Sequence, residues 1–234
     1  MALREEEWCR RHVRFLRLHL RSLSHHYLSL DTSRVTLLYF CIVGLDGLGA
    51  LETTVTEEER QQIIDWVYAL QVVDEATGRG GFRGGTWSGQ VFEGAEKNEY
   101  DGPHVAMTYT ALAVLLTLGD DLSGVKKKAV AREIAALQQP DGSFSAVADG
   151  SERDARFAYC ACAATRLLRD HGGDEKPLFD LKRLLSHLEA CRGYDGGYGL
   201  TTQSEAHGGA TYCCVASLIL SDDRALDDDE EIVR

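Results

Sequence analysis

The sequence predicts an all-α protein, an α/α toroid of repeated helical hairpins whose inner and outer helix layers form an incomplete ring. Three observations predict it. Four strongly apolar segments recur, each with a polar residue five positions before a tyrosine: Arg34–Tyr39, His104–Tyr109, Asp154–Tyr159 and His207–Tyr212. Amphipathic segments of helical period alternate with them: Glu57–Gln71, Lys126–Gln138 and Phe179–Glu189. A glycine turn bearing an aromatic follows each amphipathic segment.

Taken in chain order, an amphipathic helix around Glu5–Leu23 comes first and precedes the apolar segment that contains Tyr39. In the next amphipathic segment Ile63, Ile64, Val67 and Leu70 share one face, the mark of a helix that covers a core. The turns that follow are Gly80-Gly81-Phe82, Asp141-Gly142-Ser143-Phe144 and Asp195-Gly196-Gly197-Tyr198. Glycine there is expected to supply left-handed backbone that stops a helix, and the aromatic to cap the core. Helices apolar nearly all round must be buried on most sides, so they form the inner layer and the one-sided helices the outer. A solenoid of the same hairpins is the alternative arrangement. The whole of 1–234 reads as one domain, lacking C-terminal repeats. Residues Asp227–Arg234 read as the acidic first turn of a further outer helix, which leaves the ring unfinished.

Composition excludes several function classes. The net charge of −12, with no basic stripe beyond Lys126-Lys127-Lys128, argues against nucleic-acid binding. The N-terminus carries no apolar signal segment. The longest apolar runs, Val35–Leu45 and Ala106–Leu118, fall short of the ~20 residues a membrane span requires, so no span is expected. Seven cysteines without a CxxC pair read as reduced core residues of a cytoplasmic protein.

Equivalent ends of the inner helices converge on one mouth of a ring. His207-Gly208-Gly209 opens such a helix, where free amides and the helix dipole favour an anion and the imidazole adds a hydrogen bond. A solvated N-terminal turn explains the same residues equally well. Arg156 suits a carboxylate bound bidentately, or one half of a structural ion pair. His104 is similar, as a cap or wall residue. Tyr39, Tyr109, Tyr159 and Tyr212 read as core aromatics. The Gly80–Gly89 stretch lacks a phosphate-cradling pattern and reads as a loop. No HxxxH, CxxC or Asp-x-Cys pattern offers metal ligands.

Several motifs carry a family resemblance. Leu137-Gln138 with Asp141-Gly142-Ser143-Phe144, then Arg156-Phe157-Ala158-Tyr159-Cys160, resembles the repeat of protein prenyltransferase β subunits, as does Ser204 to Cys213. Arg11–Phe15, Asp31–Arg34, Gly80–Gly84 and Ala106–Thr110 match in order along nearly the whole chain. Within that family the sequence resembles the geranylgeranyltransferase type I branch, because Thr36 stands where farnesyl enzymes carry a bulky Trp that shortens the prenyl pocket. The resemblance implies an α-subunit partner, geranylgeranyl diphosphate, CaaX-terminated proteins such as small GTPases, and a zinc ion whose ligands lie in later repeats. It assigns His207, with Gly208 and Gly209, to the diphosphate and Arg156 to the side of the peptide carboxylate. Thr36 falls at the far end of the lipid pocket, with Tyr109 and Tyr159 on its wall. The chain by itself is expected to be inactive, with no catalytic residue of its own. A non-catalytic short isoform that binds lipid or the α subunit is the second reading; a farnesyltransferase β subunit or a terpene cyclase-like barrel is the third.

Overall fold

A computed structural model of the chain describes residues 2–86, 99–148, 152–174 and 176–221. The expected helices are present. In chain order they are α1 (Ala2–Arg21), α2 (Arg34–Gly47), the single-turn α3 (Leu51–Thr54), α4 (Glu57–Ala69), α5 (Val105–Thr117), α6 (Lys127–Leu137), α7 (Ala155–Asp170), α8 (Leu181–Ala190) and α9 (Gly208–Ser221). A 3₁₀ segment, His25–Ser33, leads into α2. Four hairpins result: α1–α2, α4–α5, α6–α7 and α8–α9. Helices α2, α5, α7 and α9 pack side by side in that order as the inner layer, and α1, α4, α6 and α8 lie outside them, the two-layer arrangement of an α/α toroid. The acidic segment Asp227–Arg234 lies outside the described residues.

Local chemistry sets the helix starts. Thr56 and Glu59 form a reciprocal capping box on α4, and the Asp180 carboxylate accepts the Arg183 amide at the head of α8. The inner helices are apolar on most sides and supply the centre of the core. Ile42, Leu45, Leu112, Leu115 and Ala161 have no exposed surface, and Phe82 and Phe144 are sealed among them. Truncating a fully buried leucine such as Leu115 to Ala costs about 2–5 kcal/mol.

The glycine turns are the joints of the ring. In the first and third turns the aromatic residue is tied to the start of the inner helix that follows it, the His104 and His207 amides donating to the Phe82 and Tyr198 carbonyls at 3.1 and 3.2 Å. Two residues on, the carbonyls of Gly84, Ala146 and Leu200 accept an amide from the first turn of the preceding inner helix, from Val35, Val105 and Ala155, at 3.0, 3.0 and 2.9 Å. Each turn therefore ties two neighbouring inner helices together at a common height and makes them parallel. The Thr108 and Thr211 hydroxyls accept the Phe82 and Tyr198 amides at 3.0 Å each; the middle repeat has Ala158 in that place.

Three expectations are corrected here. Residues Gly80 to Phe82 are not a loop: β2 (Arg79–Phe82) pairs antiparallel with β1 (Gln71–Asp74). The later residues of the Gly80–Gly89 stretch, from 87, lie outside the described residues. Left-handed glycine does stop helices at Gly49, Gly119 and Gly172, just past α2, α5 and α7, but in the aromatic turns Gly142 (φ 91°) and Gly196 (φ 82°) lie beyond the helix ends, and Gly80 is small because a side chain would strike the Val72 carbonyl at 2.4 Å. The membrane reading also changes. Counted with its 3₁₀ lead-in, His25–Gly47 is long and apolar enough to span by length and composition. The backbone breaks from helical geometry at Leu30, however, and Val35, Ile42 and Leu45 are fully buried against the protein core.

Candidate functional site

The common height of the inner helices brings the four repeat tyrosines into one row. Tyr39 and Tyr109 hydroxyls lie 3.3 Å apart, Tyr109 and Tyr159 3.0 Å apart, and Tyr212 donates to Tyr159 at 3.2 Å. Ring centroids are 5.8, 5.4 and 5.4 Å apart, each pair tilted or edge-on, the geometry aromatic quadrupoles favour. The expectation of core aromatics is thereby corrected. The first three rings are half-buried and Tyr212 is 60 % exposed, so the row forms a surface of the inner layer. Burial, then hydrogen bonding to its neighbours, pushes the Tyr109 phenol far above its ordinary range, and it stays protonated.

A second row was missed by the sequence reading. Four residues beyond each tyrosine, on the same helix face, stand Val43, Ala113, Ala163 and Ala216. Small side chains there leave room one turn below the tyrosine rings. The constant offset of four was the available signal, but it becomes meaningful only once the tyrosines are known to face inward.

One turn toward the helix N-termini, at the rim, lie Thr36, Ala106, Arg156 and Gly209. Thr36 is half-buried, and its hydroxyl donates to the Met107 sulfur at 3.2 Å across the α2–α5 seam. Beside it opens a cavity of about 210 Å³ lined by Thr32, Ser33, Tyr100, His104, Met107 and Glu152 among others. His104 caps α5, its Nδ1 accepting the Ala106 amide at 3.1 Å, and burial holds its pKa below the ordinary value against the opposing pull of Glu152.

Arg156 is an ion-pair member in this structure. Its Nε donates to Asp154 Oδ1 at 2.9 Å, and its Nη2 to Asp154 Oδ2 at 2.5 Å and to Glu152 at 2.8 Å. Asp154 is buried and also caps α7 through the Arg156 amide at 2.9 Å, whereas Glu152 is exposed. The guanidinium lies 5.3 Å over the Phe157 ring. These partners raise the Arg156 pKa, Asp154 first, so the group is a permanent cation at the rim. His207, exposed, stands at the head of α9 in the place that His104 and Asp154 take on α5 and α7, its Nδ1 accepting the Ala210 amide at 3.3 Å. In the neutral ring this leaves Nε2 carrying the proton, a donor beside the Gly208 and Gly209 amides. The rim and the tyrosine row thus place an anion-compatible edge above an aromatic wall.

The sequence matches the prenyltransferase alpha-alpha toroid domain over residues 9–234. The chain belongs to this prenyltransferase toroid family. It is 36 % identical over 220 residues to the geranylgeranyl transferase type-1 subunit beta of Arabidopsis thaliana, a match covering 90 % of this chain and 55 % of that protein. The Dictyostelium discoideum subunit of the same name is 35 % identical, with 89 % and 61 % covered. The Arabidopsis thaliana protein farnesyltransferase subunit beta is 32 % identical, with 86 % and 36 % covered. The chain therefore spans a little over half the length of its geranylgeranyl transferase relatives. In fold it superposes on Candida albicans protein geranylgeranyltransferase-I complexed with GGPP at a TM-score of 0.74, with 22 % identity, covering 91 % of this chain and 59 % of that one.

The family implies a zinc ion. Among the described residues no group of three or more His, Cys, Asp or Glu side chains converges to hold one, so they do not fit a zinc site. The cysteines are free thiols, and burial pushes Cys41 and Cys162 up to about 11 and Cys160 up to about 12. Such thiols stay protonated and pack as small apolar groups.

Proposed function

We propose that this chain acts as a β-type subunit of a protein geranylgeranyltransferase of type I, a cytoplasmic enzyme that moves a geranylgeranyl group from its diphosphate to the cysteine of CaaX-terminated proteins such as small GTPases. The observation that carries the reading is the inward tyrosine row with small residues beneath it. Because the hydroxyls bond to one another along the row, each ring offers a π-face and not an open polar group to an apolar chain. Val43, Ala113, Ala163 and Ala216 give that chain depth. Identity to the two geranylgeranyl transferase subunits supports the same substrate class.

The rim residues then take separate roles. His207 and the Gly208–Gly209 amides at the head of α9 hold diphosphate oxygens. Thr36, at the α2 end of the row, leaves space for the fourth isoprene unit. Arg156 receives the peptide carboxylate most simply by exchanging Glu152, its exposed partner, while the buried Asp154 keeps the guanidinium aimed. A partner α subunit completes the enzyme, and the described residues carry no step at a metal.

The test is discrimination between two lipids. Thr36→Trp fills the seam beside Met107 and is expected to weaken geranylgeranyl diphosphate relative to farnesyl diphosphate by about tenfold or more, the scale of pocket-volume selectivity. Direct titration of both lipids checks it. Equal weakening of the two would remove Thr36 from the chain-length role.

A further inference from the structure

Arg156 holds two carboxylates of unequal standing. Asp154 is buried, caps α7 and covers one edge of the guanidinium, accepting from Nε at 2.9 Å and from Nη2 at 2.5 Å. Glu152 accepts from Nη2 alone, at 2.8 Å, and its side chain is 60 % exposed. That single bond falls on the Nη1–Nη2 edge, the one left for a second carboxylate to grip by two oxygens at once. Asp154 by itself neutralises the cation. With Glu152 added the cluster is negative and opposes an incoming anion.

Glu152 is placed for more than a surface pair. It does not stand on α7, which begins at Ala155, so the contact is not the ordinary pairing one turn apart along a helix. Its backbone is fixed: the Glu152 carbonyl accepts the Ala146 amide at 3.0 Å, and the Ala146 carbonyl accepts the Val105 amide at the head of α5. This anchor sets Glu152 at the seam between the heads of α5 and α7, between Arg156 and His104. Glu152 and His104 line the same cavity of about 210 Å³, and the carboxylate's charge already acts on the imidazole. The Ala106 amide occupies His104 Nδ1 at 3.1 Å, so the neutral ring carries its proton on Nε2, a donor that a carboxylate can take. Rotation of one exposed side chain thus exchanges one donor for another without moving the backbone.

We propose that Glu152 is a built-in competitor of the peptide: its carboxylate occupies the place of the terminal carboxylate on Arg156, and moves to the His104 imidazole when the peptide enters. This rests on the carboxylate role given to Arg156 above and adds how that site is regulated. An ion pair exposed on both sides contributes little, so a carboxylate that grips both Nη atoms displaces Glu152. A neutral chain end gains nothing by displacing it. The contact therefore selects for a free carboxyl terminus.

The experiment titrates the 234-residue chain, alone and with a prenyltransferase α subunit, with a fluorescent CaaX peptide by anisotropy. The peptide is used with a free C-terminal carboxylate and as its C-terminal amide. Wild type, Glu152→Gln, Glu152→Ala and His104→Ser, which can still cap α5, are compared after circular dichroism confirms equal helix content. Wild type is expected to prefer the acid. Both Glu152 variants should bind the acid about two- to fivefold more tightly, the scale of an exposed ion pair, and leave the amide unchanged. His104→Ser should weaken the acid by a similar factor, and have no effect once Glu152 is Gln. If wild type prefers the acid but the folded Glu152 variants match it, or tighten acid and amide alike, the competitor fails while the role of Arg156 stands. Equal weakening by His104→Ser in both backgrounds would overturn the transfer to His104. If wild type binds acid and amide equally, or neither, Arg156 loses the carboxylate and the proposal falls with it.

Discussion

Replacing Tyr109 with Phe removes one oxygen from the middle of the tyrosine row and leaves the ring, its burial and its helix unchanged. That oxygen takes part in two hydrogen bonds, at 3.3 Å to Tyr39 and 3.0 Å to Tyr159. Both exceed the usual 2.7–2.8 Å of hydroxyl pairs, which places each toward the lower part of the ~0.5–1.5 kcal/mol range for a net protein hydrogen bond. Tyr159 keeps its bond from Tyr212, whereas Tyr39 loses its partner in the row. The expected loss is about 1–2 kcal/mol, or roughly 2–8 °C in Tm for a protein of this size. Tyr212→Phe is the internal control. It deletes one bond from a 60 % exposed end rung, so its effect should stay within about 0.5 kcal/mol. Thermal and urea denaturation of Tyr109→Phe, Tyr159→Phe and the double variant give the coupling directly. Equal effects of Tyr109→Phe and Tyr212→Phe, with strict additivity in the cycle, would refute the connected row.

Other consequences follow from the rim. Asp154 both caps α7 and holds Arg156, so Asp154→Ala should cost about 1–2 kcal/mol, whereas Asp154→Asn keeps the cap and should lose less; chemical denaturation separates them. His104 and His187 have pKa values lowered by burial, so the unfolded chain binds more protons than the folded one below the ordinary histidine value near 6.5. Stability should therefore fall as pH drops from about 7 through 6, and His104→Asn, which can still cap α5, should flatten part of that slope in Tm measured against pH.

The layer structure was legible because two kinds of helix differ in polarity, and that difference survives in one sequence. The β1–β2 ribbon was not. Its strands have four residues each, and Gly80 and Gly81 signal a turn on any local reading; only the close approach of the Val72 backbone to Gly80, and of Thr108 and Pro103 to Gly81, explains them. The tyrosine row was half legible. Its spacing stood out, but a helix apolar on every side has no polar face to show which side looks into the ring, so core and wall gave the same pattern. For Arg156 the sequence offered an ion pair or a carboxylate site, and the structure shows the ion pair, with Glu152 exposed at its outer edge. Family-level zinc ligands had no counterpart in the sequence motifs, and none converge among the described residues.

The most direct measurement is photo-crosslinking with a geranylgeranyl diphosphate analogue that carries a diazirine on its terminal isoprene, followed by peptide mapping. Labelling of the α2 and α5 segments around Thr36, Tyr39 and Tyr109, competed by unmodified geranylgeranyl diphosphate, is the result predicted. Labelling confined to the 420 Å³ groove between α1, α2 and α4, lined by His19, Ile63 and Trp66, would contradict a lipid site on the tyrosine wall.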